Sequence, residues 1–414
     1  MAEFDNHDTE PIVHKILNCD ATSIKPERST IPHSSSGPSY AYNVSANLDN
    51  VEYVKRRLSC VWKFSTSWII QNQIDLAFSL LALLGLTHHL IPDAQPHTTK
   101  FFTLSYYNRL SGKYSNGKDD VFLIMIFIVL FTGLRAAVMK YLLVPFAKMS
   151  GVRKKKDLTR FSEQSWMLCY YGISWTIGMY IWYNSPYWLN MDGLWTNWPT
   201  RDLTGLVKFY ILAQCAFWVQ QIVIVHIEER RKDHWQMLAH HIVTISLIYS
   251  CYAYHQTRVG NLILVTMDFV DIILPLAKCL KYMGYKTLCD VMFGVFLVSW
   301  LLTRHVAYSL ICWSIYADIP RIIGDTCWTG PSEDLKGPLP IPEGHDYLLE
   351  PFLDPEGLVC FGKTPKWLFL IPLLMLQVLN FVWLAMIVRV ARKVIRREGA
   401  EDSRSDDEGQ DKEE

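Results

Sequence analysis

Eight long apolar runs dictate what this chain can fold into. They lie at roughly 69–91, 120–146, 165–184, 206–226, 237–254, 259–280, 288–315 and 367–390. At 1.5 Å of rise per residue, runs of this length suit helices that cross a hydrocarbon core of about 30 Å. Lipid offers no partner for backbone N–H and C=O groups, so a spanning run must satisfy them internally, as an α-helix does. Half of the residues are hydrophobic and they are concentrated in these runs, with charged loops between them. The reading is an all-α integral membrane protein of about eight transmembrane helices. The first run is the least regular: Gln71, Asn72, Gln73 and Asp75 crowd its start, so it begins nearer Leu76 or lies flat on the membrane. Lying flat would invert the later loops.

Charge sets the orientation. The 40 basic and 40 acidic residues cancel, which removes any global case for nucleic acid. Along the chain, though, they segregate. Lys55, Arg56 and Arg57 precede the first run, and the block Lys148 to Arg160 follows the second. Arg230, Arg231 and Lys232 follow the fourth, Lys278, Lys281 and Lys286 the sixth, and Arg389, Arg392, Lys393, Arg396 and Arg397 the eighth. The positive-inside rule puts all of these, and both termini, in the cytosol. Residues 1–60 then read as a disordered tail, 61–148 as two amino-terminal helices, 149–392 as the main domain and 393–414 as an acidic tail. The sequon Asn43-Val44-Ser45 is unused on the cytosolic side. Ser403 and Ser405 suit an acid-directed kinase, or the tail merely solvates. The polar amino terminus shows no cleavable signal, and the carboxyl terminus no Lys-Asp-Glu-Leu type signal. The ten cysteines form no CxxC pair. Cys327 and Cys360 share a long loop (316–366) on the oxidising side, where a disulfide and two thiols are both open.

The chemistry concentrates between His234 and Tyr282. His240 and His241 lie in the fifth run, Asp268 and Asp271 in the sixth. A central Asp costs about 2.5–3.5 kcal/mol to insert, whereas a flanking Leu, Ile or Val returns only about 0.3–0.6 kcal/mol. The pair therefore faces protein, water or a partner. Residues three apart share a helix face, so Asp268 and Asp271 are expected to point the same way. Asp75, Arg135, Arg258 and Arg304 also sit in or beside apolar runs. Three readings compete. Imidazoles and carboxylates bind iron or zinc, but His234, His240 and His241 match neither the HxxxH nor the HxxHH box of membrane di-iron oxidases. His88 and His89 lie on the opposite flank. A satisfied polar network that fixes helix register is the second reading. The third is acid–base or nucleophilic chemistry on a lipid, with a carboxylate supporting an imidazole.

The segment EERRKDHWQMLAHHIVT, then RVGNL and MDFVDIILPLAKCLKY, resembles the ceramide synthase family, the TLC-domain longevity-assurance proteins. RFSEQSW (Arg160 to Trp166) is similar to the family's entry to that domain, and SWLLTRH (Ser299 to His305) to its late-helix arginine motif. The resemblance covers about 150–390. The extra span near 120–146, in place of a homeobox-like insert, is similar to the fungal branch. Met267 stands where many animal relatives carry His, and Val270 where a small Ser is expected. The resemblance implies that the last six helices form a TLC-type barrel with an internal cavity, making 149–392 the catalytic domain.

It further implies an endoplasmic reticulum enzyme, a sphingosine N-acyltransferase that joins a fatty acyl-CoA to a sphingoid base to give ceramide or dihydroceramide. No metal or cofactor is expected beyond acyl-CoA as co-substrate. A small single-span accessory subunit is expected, and homodimerisation is open. Candidate catalytic residues are His240, His241, Asp268 and Asp271. One imidazole acts as base or as a nucleophile forming an acyl-imidazole, and the carboxylates orient it and attract the ammonium. Candidate substrate contacts are Arg258, Arg304, Trp235, Arg230, Arg231 and Lys232. The basic block of Arg153, Lys154, Lys155, Lys156 and Arg160 either contacts CoA phosphates or serves topology alone. The alternative class is a TLC-domain lipid sensor or transporter without chemistry, which has little use for a desolvated base.

Overall fold

The computed structural model describes residues 68–69, 71–227 and 233–395. The expected amino-terminal tail, the sequon, Arg230, Arg231, Lys232, Ser403 and Ser405 lie outside the described residues, as does the expected acidic tail from residue 396 onward, whereas its first residues, 393–395, continue the last helix. The chain divides into two units, Met1–Gln73 and Ile74–Glu414, and the second holds everything below.

Helices dominate. α1 (Gln73–Leu90) takes Asp75 into its first turn, where a carboxylate faces the positive end of the helix dipole. α2 (Gln95–Phe102) leads to a small antiparallel hairpin, β1 (Tyr107–Asn108) with β2 (Lys113–Tyr114). α3 (Asp120–Met149) follows, with a π-helical turn at Met139–Leu143. Next come α4 (Lys155–Tyr183), α5 (Gly205–Ile227), α6 (His234–Ala253) and α7 (Thr257–Tyr282). α8 (Lys286–Ile322) carries a second π-helical stretch at Leu301–Ala307. Strands β3 (Thr326–Thr329), β4 (Lys336–Leu339) and β5 (Val359–Phe361) precede the last helix, α9 (Lys363–Ile395).

Among the described residues five helices, α1, α3, α5, α8 and α9, are long and apolar enough to cross a membrane, so the protein is multi-pass. The other three expected runs coincide with α4, α6 and α7. Polar residues lower their hydropathy: the first two turns of α4 hold Lys155, Lys156, Asp157 and Arg160, α6 holds His234, Gln236, His240 and His241, and α7 holds Arg258, Asp268, Asp271, Lys278 and Lys281. α4 therefore starts ten residues before its apolar run, and part of the basic block is helical rather than loop.

Packing neighbours succeed one another as α4, α5, α6, α9, α8, α7 and back to α4, and α7 also touches α5 and α6. Glycine allows α4 and α7 to approach closely: a Cβ on Gly178 of α4 would stand 2.6 Å from Val265 Cγ2 on α7. α1 and α3 bury little of themselves, whereas α5 is largely enclosed. A buried ion pair ties α3 to α5, with Lys208 Nζ 2.7 Å from Asp120 Oδ1. The same ammonium donates to the carbonyls of Ser105 and Ser115, so its protons are spoken for.

The long loop at 316–366 is not structureless. α8 runs on to Ile322, and β4–β3–β5 form an antiparallel sheet in which Cys327 and Cys360 are cross-strand partners joined by a disulfide. Arg201 fastens this cap, donating to the carbonyls of Pro355 and Gly357.

Candidate active site

His240 and His241 project from α6 at adjacent positions, about 100° apart around the helix. His241 is 3% exposed, and its ring centroid lies 5.7 Å from that of His240. Trp218 of α5 stands 5.4 Å from each imidazole, and Trp383 of α9 stands 5.4 Å from His240 on another side. His240 is thus boxed by indoles, and its Nδ1 is buried with no hydrogen-bond partner.

The two carboxylates diverge. Asp271 accepts a hydrogen bond from Arg304 Nη2 at 2.8 Å. Arg304 also donates to the Met267 carbonyl and lies over the Trp300 ring. It sits inside the π-helical stretch of α8, a rare geometry that often marks functional positions. Pro275 has no N–H to give the Asp271 carbonyl four residues before it, which frees α7 locally beside the carboxylate. Asp268 is fully buried and turns toward α4 and α5 instead, accepting from Ser174 Oγ at 3.1 Å and Gln214 Nε2 at 2.9 Å. The expected common face is therefore divided: residues three apart differ by about 60° around a helix, enough to give Asp271 a cavity and Asp268 a cage.

Two cavities meet here. The larger, about 330 Å³, reaches the end of the bundle opposite the cap and is bordered by Arg135, Glu163, Lys278 and Lys281. The smaller, about 70 Å³, runs toward the cap between apolar walls that include Trp195, Ile263, Ile315, Phe361 and Leu373. Four side chains line both: Trp218, His240, Asp271 and Arg304. His241 lines only the larger. Among the described residues no group of three or more His, Cys, Asp or Glu side chains gathers as a metal-ligand set.

Residues 160–389 match the TLC domain. The chain is 49% identical over 330 residues to Ceramide Synthase FUM18 of Gibberella moniliformis, covering 80% of this chain and 77% of that one. It is 46% identical over 345 residues to the sphingosine N-acyltransferase-like protein ALT7 of Alternaria alternata, covering 83% and 77%. It is 38% identical over 341 residues to sphingosine N-acyltransferase lag1 of Schizosaccharomyces pombe, covering 82% and 80%. The chain belongs to the TLC-domain ceramide synthase family.

Within this ceramide synthase fold, several expected contacts fall elsewhere. Arg258 donates to the carbonyls of Gly193 and Thr196 at 2.9 and 2.8 Å and lines neither cavity; it pins a loop. Trp235 is 68% exposed, edge-on to His234, and also lines neither cavity. Arg304 does reach the site. The residues missed from the sequence are Trp218 and Trp383, which look like ordinary apolar residues in their runs, and Ser174 and Gln214. Gln214 in the middle of the 206–226 run was the readable signal, since a buried amide needs a partner.

Proposed function

We propose that the protein transfers a fatty acyl group from acyl-CoA to the amine of a sphingoid base, giving ceramide or dihydroceramide, with His240 at the reacting centre. One observation carries this: the polar-mouthed cavity and the apolar cavity share His240, Asp271 and Arg304 in their common wall. A long thioester has the same two-ended character. Its anionic CoA suits the end bordered by Arg135, Lys278 and Lys281, and its hydrocarbon suits the apolar arm, which brings the carbonyl to the junction.

A long-chain amine with a pKa near that of Lys, about 10.4, is neutral in only about one molecule in a few thousand at pH 7, so attack on a thioester needs a base. In the direct route His240 takes the ammonium's proton, the amine attacks the carbonyl, and CoA leaves as the thiol. In the covalent route an imidazole nitrogen attacks first and expels CoA. The amine then displaces the imidazole, which leaves carrying the proton. Asp271 attracts the incoming ammonium, and Arg304 stands beside it to meet the developing oxyanion. His241 and Asp268 position these groups from behind. An enclosed site also suppresses hydrolysis of the acyl group. No cofactor enters this scheme besides acyl-CoA. The six packed helices α4 to α9 form the enclosure.

The same reading places the protein in the endoplasmic reticulum membrane with both termini cytosolic, supported by the basic residues at the end opposite the cap. It also assigns a small single-span accessory subunit, with homodimerisation as a further mode of assembly. The test uses membranes from cells whose only ceramide synthase is this chain, supplied with a sphingoid base and acyl-CoAs of graded length. N-acylated product that disappears in His240→Ala and His241→Ala at normal abundance is the expected result. No product from any pairing would leave the non-catalytic lipid-sensing reading. An acylated His240 trapped with acyl-CoA alone would select the covalent route, and strictly sequential kinetics would exclude it.

A further inference from the structure

Thr244 stands one helical turn beyond His240 on α6, about 6 Å along the axis. It shares the face that continues through Leu247, Ile248 and Cys251 along the smaller cavity. Its hydroxyl oxygen is buried and has no hydrogen-bond partner. That is unusual, because threonine inside a helix can hand its proton to the carbonyl four residues back. Thr87, Thr132, Thr176, Thr266 and Thr303 all do so, at distances of 2.7–2.9 Å. Thr244 has the equivalent acceptor, the His240 carbonyl, and leaves it unused. The walls around it are mostly apolar, including Leu247, Ile263 and Leu376. A buried hydroxyl left this way is costly, and a ligand with a matching group relieves it.

The chemistry of the two substrates says which group that is. This step rests on the acyltransferase reading above. Beyond its carbonyl the fatty chain has no polar atom, and the polar atoms of CoA lie on the other side of that carbonyl, toward the larger cavity. The sphingoid base is different: it carries a hydroxyl on the carbon next to the one that bears its amine. Once the amine reaches the carbonyl at His240, the hydroxyl on the hydrocarbon side of the amine, that of carbon 3, falls on the apolar side of the junction, where Thr244 stands. We propose that Thr244 is a positioning residue for the amine substrate, hydrogen-bonding the 3-hydroxyl of the base and so aiming the amine.

The experiment measures kcat/KM for N-acylation by the full-length protein in membranes, with one acyl-CoA and two amines. One amine is a long-chain 2-amino-1,3-diol and the other is the same chain lacking the 3-hydroxyl. A site built around a hydroxyl rejects the analogue that lacks it, so the wild type should favour the diol by about 10- to 100-fold. Thr244→Val keeps the branched shape and removes the hydroxyl. It should lose activity on the diol alone, bringing the ratio close to one, while Thr244→Ser keeps the preference. An equal loss on both amines in Thr244→Val, or an unchanged ratio, would overturn the assignment and leave a packing role. Absence of N-acyl product from the wild type with either amine would instead overturn the acyltransferase reading on which the assignment stands.

Discussion

Asp271 accepts from Arg304 at a wall common to both cavities, whereas Asp268 takes two donors inside the protein and lines neither cavity. Their variants should therefore separate. Asp271→Asn removes the charge that faces the guanidinium and that the proposed transfer uses to attract the ammonium, and should lower kcat by about a hundredfold, the size of other lost transition-state electrostatic contacts, with abundance unchanged. Asp268→Asn keeps an oxygen for Ser174 and Gln214 and should retain far more activity. Asp268→Leu takes the acceptor from the buried Ser174 hydroxyl, while Gln214 keeps Ser174 and Tyr210 as acceptors, and should cost about 1–3 kcal/mol, read as a fall in the thermal unfolding midpoint in detergent. Equal kinetic loss in the two Asn variants would return Asp268 to the reacting atoms. Spacing alone made the pair legible as a polar site but could not divide it. A 60° difference in direction matters only when neighbours are known, and Gln214 and Ser174 lie 54 and 94 residues away from Asp268 in sequence. The place of Arg258 is hidden for the same reason: the loop carbonyls it holds carry no sequence signal.

At the scale of elements, α4 and α7 pack closely because Gly178 presents no side chain to Val265 and Tyr210. Gly178→Ala gains helix propensity of up to about 1 kcal/mol. It also forces a Cβ to within 2.6 Å of Val265 Cγ2 and 2.7 Å of the Tyr210 hydroxyl, and overpacking of this kind costs about 1–3 kcal/mol. The unfolding midpoint should fall, and adding Val265→Ala should restore part of it. A midpoint equal to wild type in the single variant would mean that the helices sit further apart. The helices themselves were legible as apolar runs, because lipid leaves a long run few other solutions. Their ends were not. α4 begins in the basic block because charged residues such as Lys155, Lys156 and Arg160 are good helix formers wherever water reaches them. The sheet of β3, β4 and β5 escaped notice because its strands are three or four residues long and depend on pairing across the loop. The π-helical stretch that carries Arg304 has no signature in residue type at all.

Across the whole molecule, the cap and the bundle are joined at the corner between α6 and α7, and a titratable group sits in that corner. His255 is 5% exposed and takes a positive φ of 55°. Its Nδ1 lies 3.5 Å from Asn116 Nδ2, which also donates to the Tyr252 carbonyl. Burial, and then the nearby Arg201 charge, push the imidazole down to about 3. An unfolded chain would bind the same proton near 6.5. Because the folded value is the lower one, the stabilisation is complete above pH 6.5 and is lost progressively as pH falls toward 3. Between pH 6.5 and 5 this one group removes up to about 2 kcal/mol. Asn is among the residues that tolerate positive φ, so His255→Asn isolates the titration from the backbone geometry. The expected result is a wild-type unfolding midpoint in detergent that drops between pH 7 and 5, and a flatter curve for His255→Asn. Parallel curves would mean that the acid sensitivity comes from elsewhere. The neighbouring Gln256 and, from β5, Phe361 line the smaller cavity, so loosening of this corner reaches the site as well as the fold. Acid should therefore weaken N-acylation in the wild type before it unfolds the bundle, and the His255→Asn variant should hold its activity to lower pH.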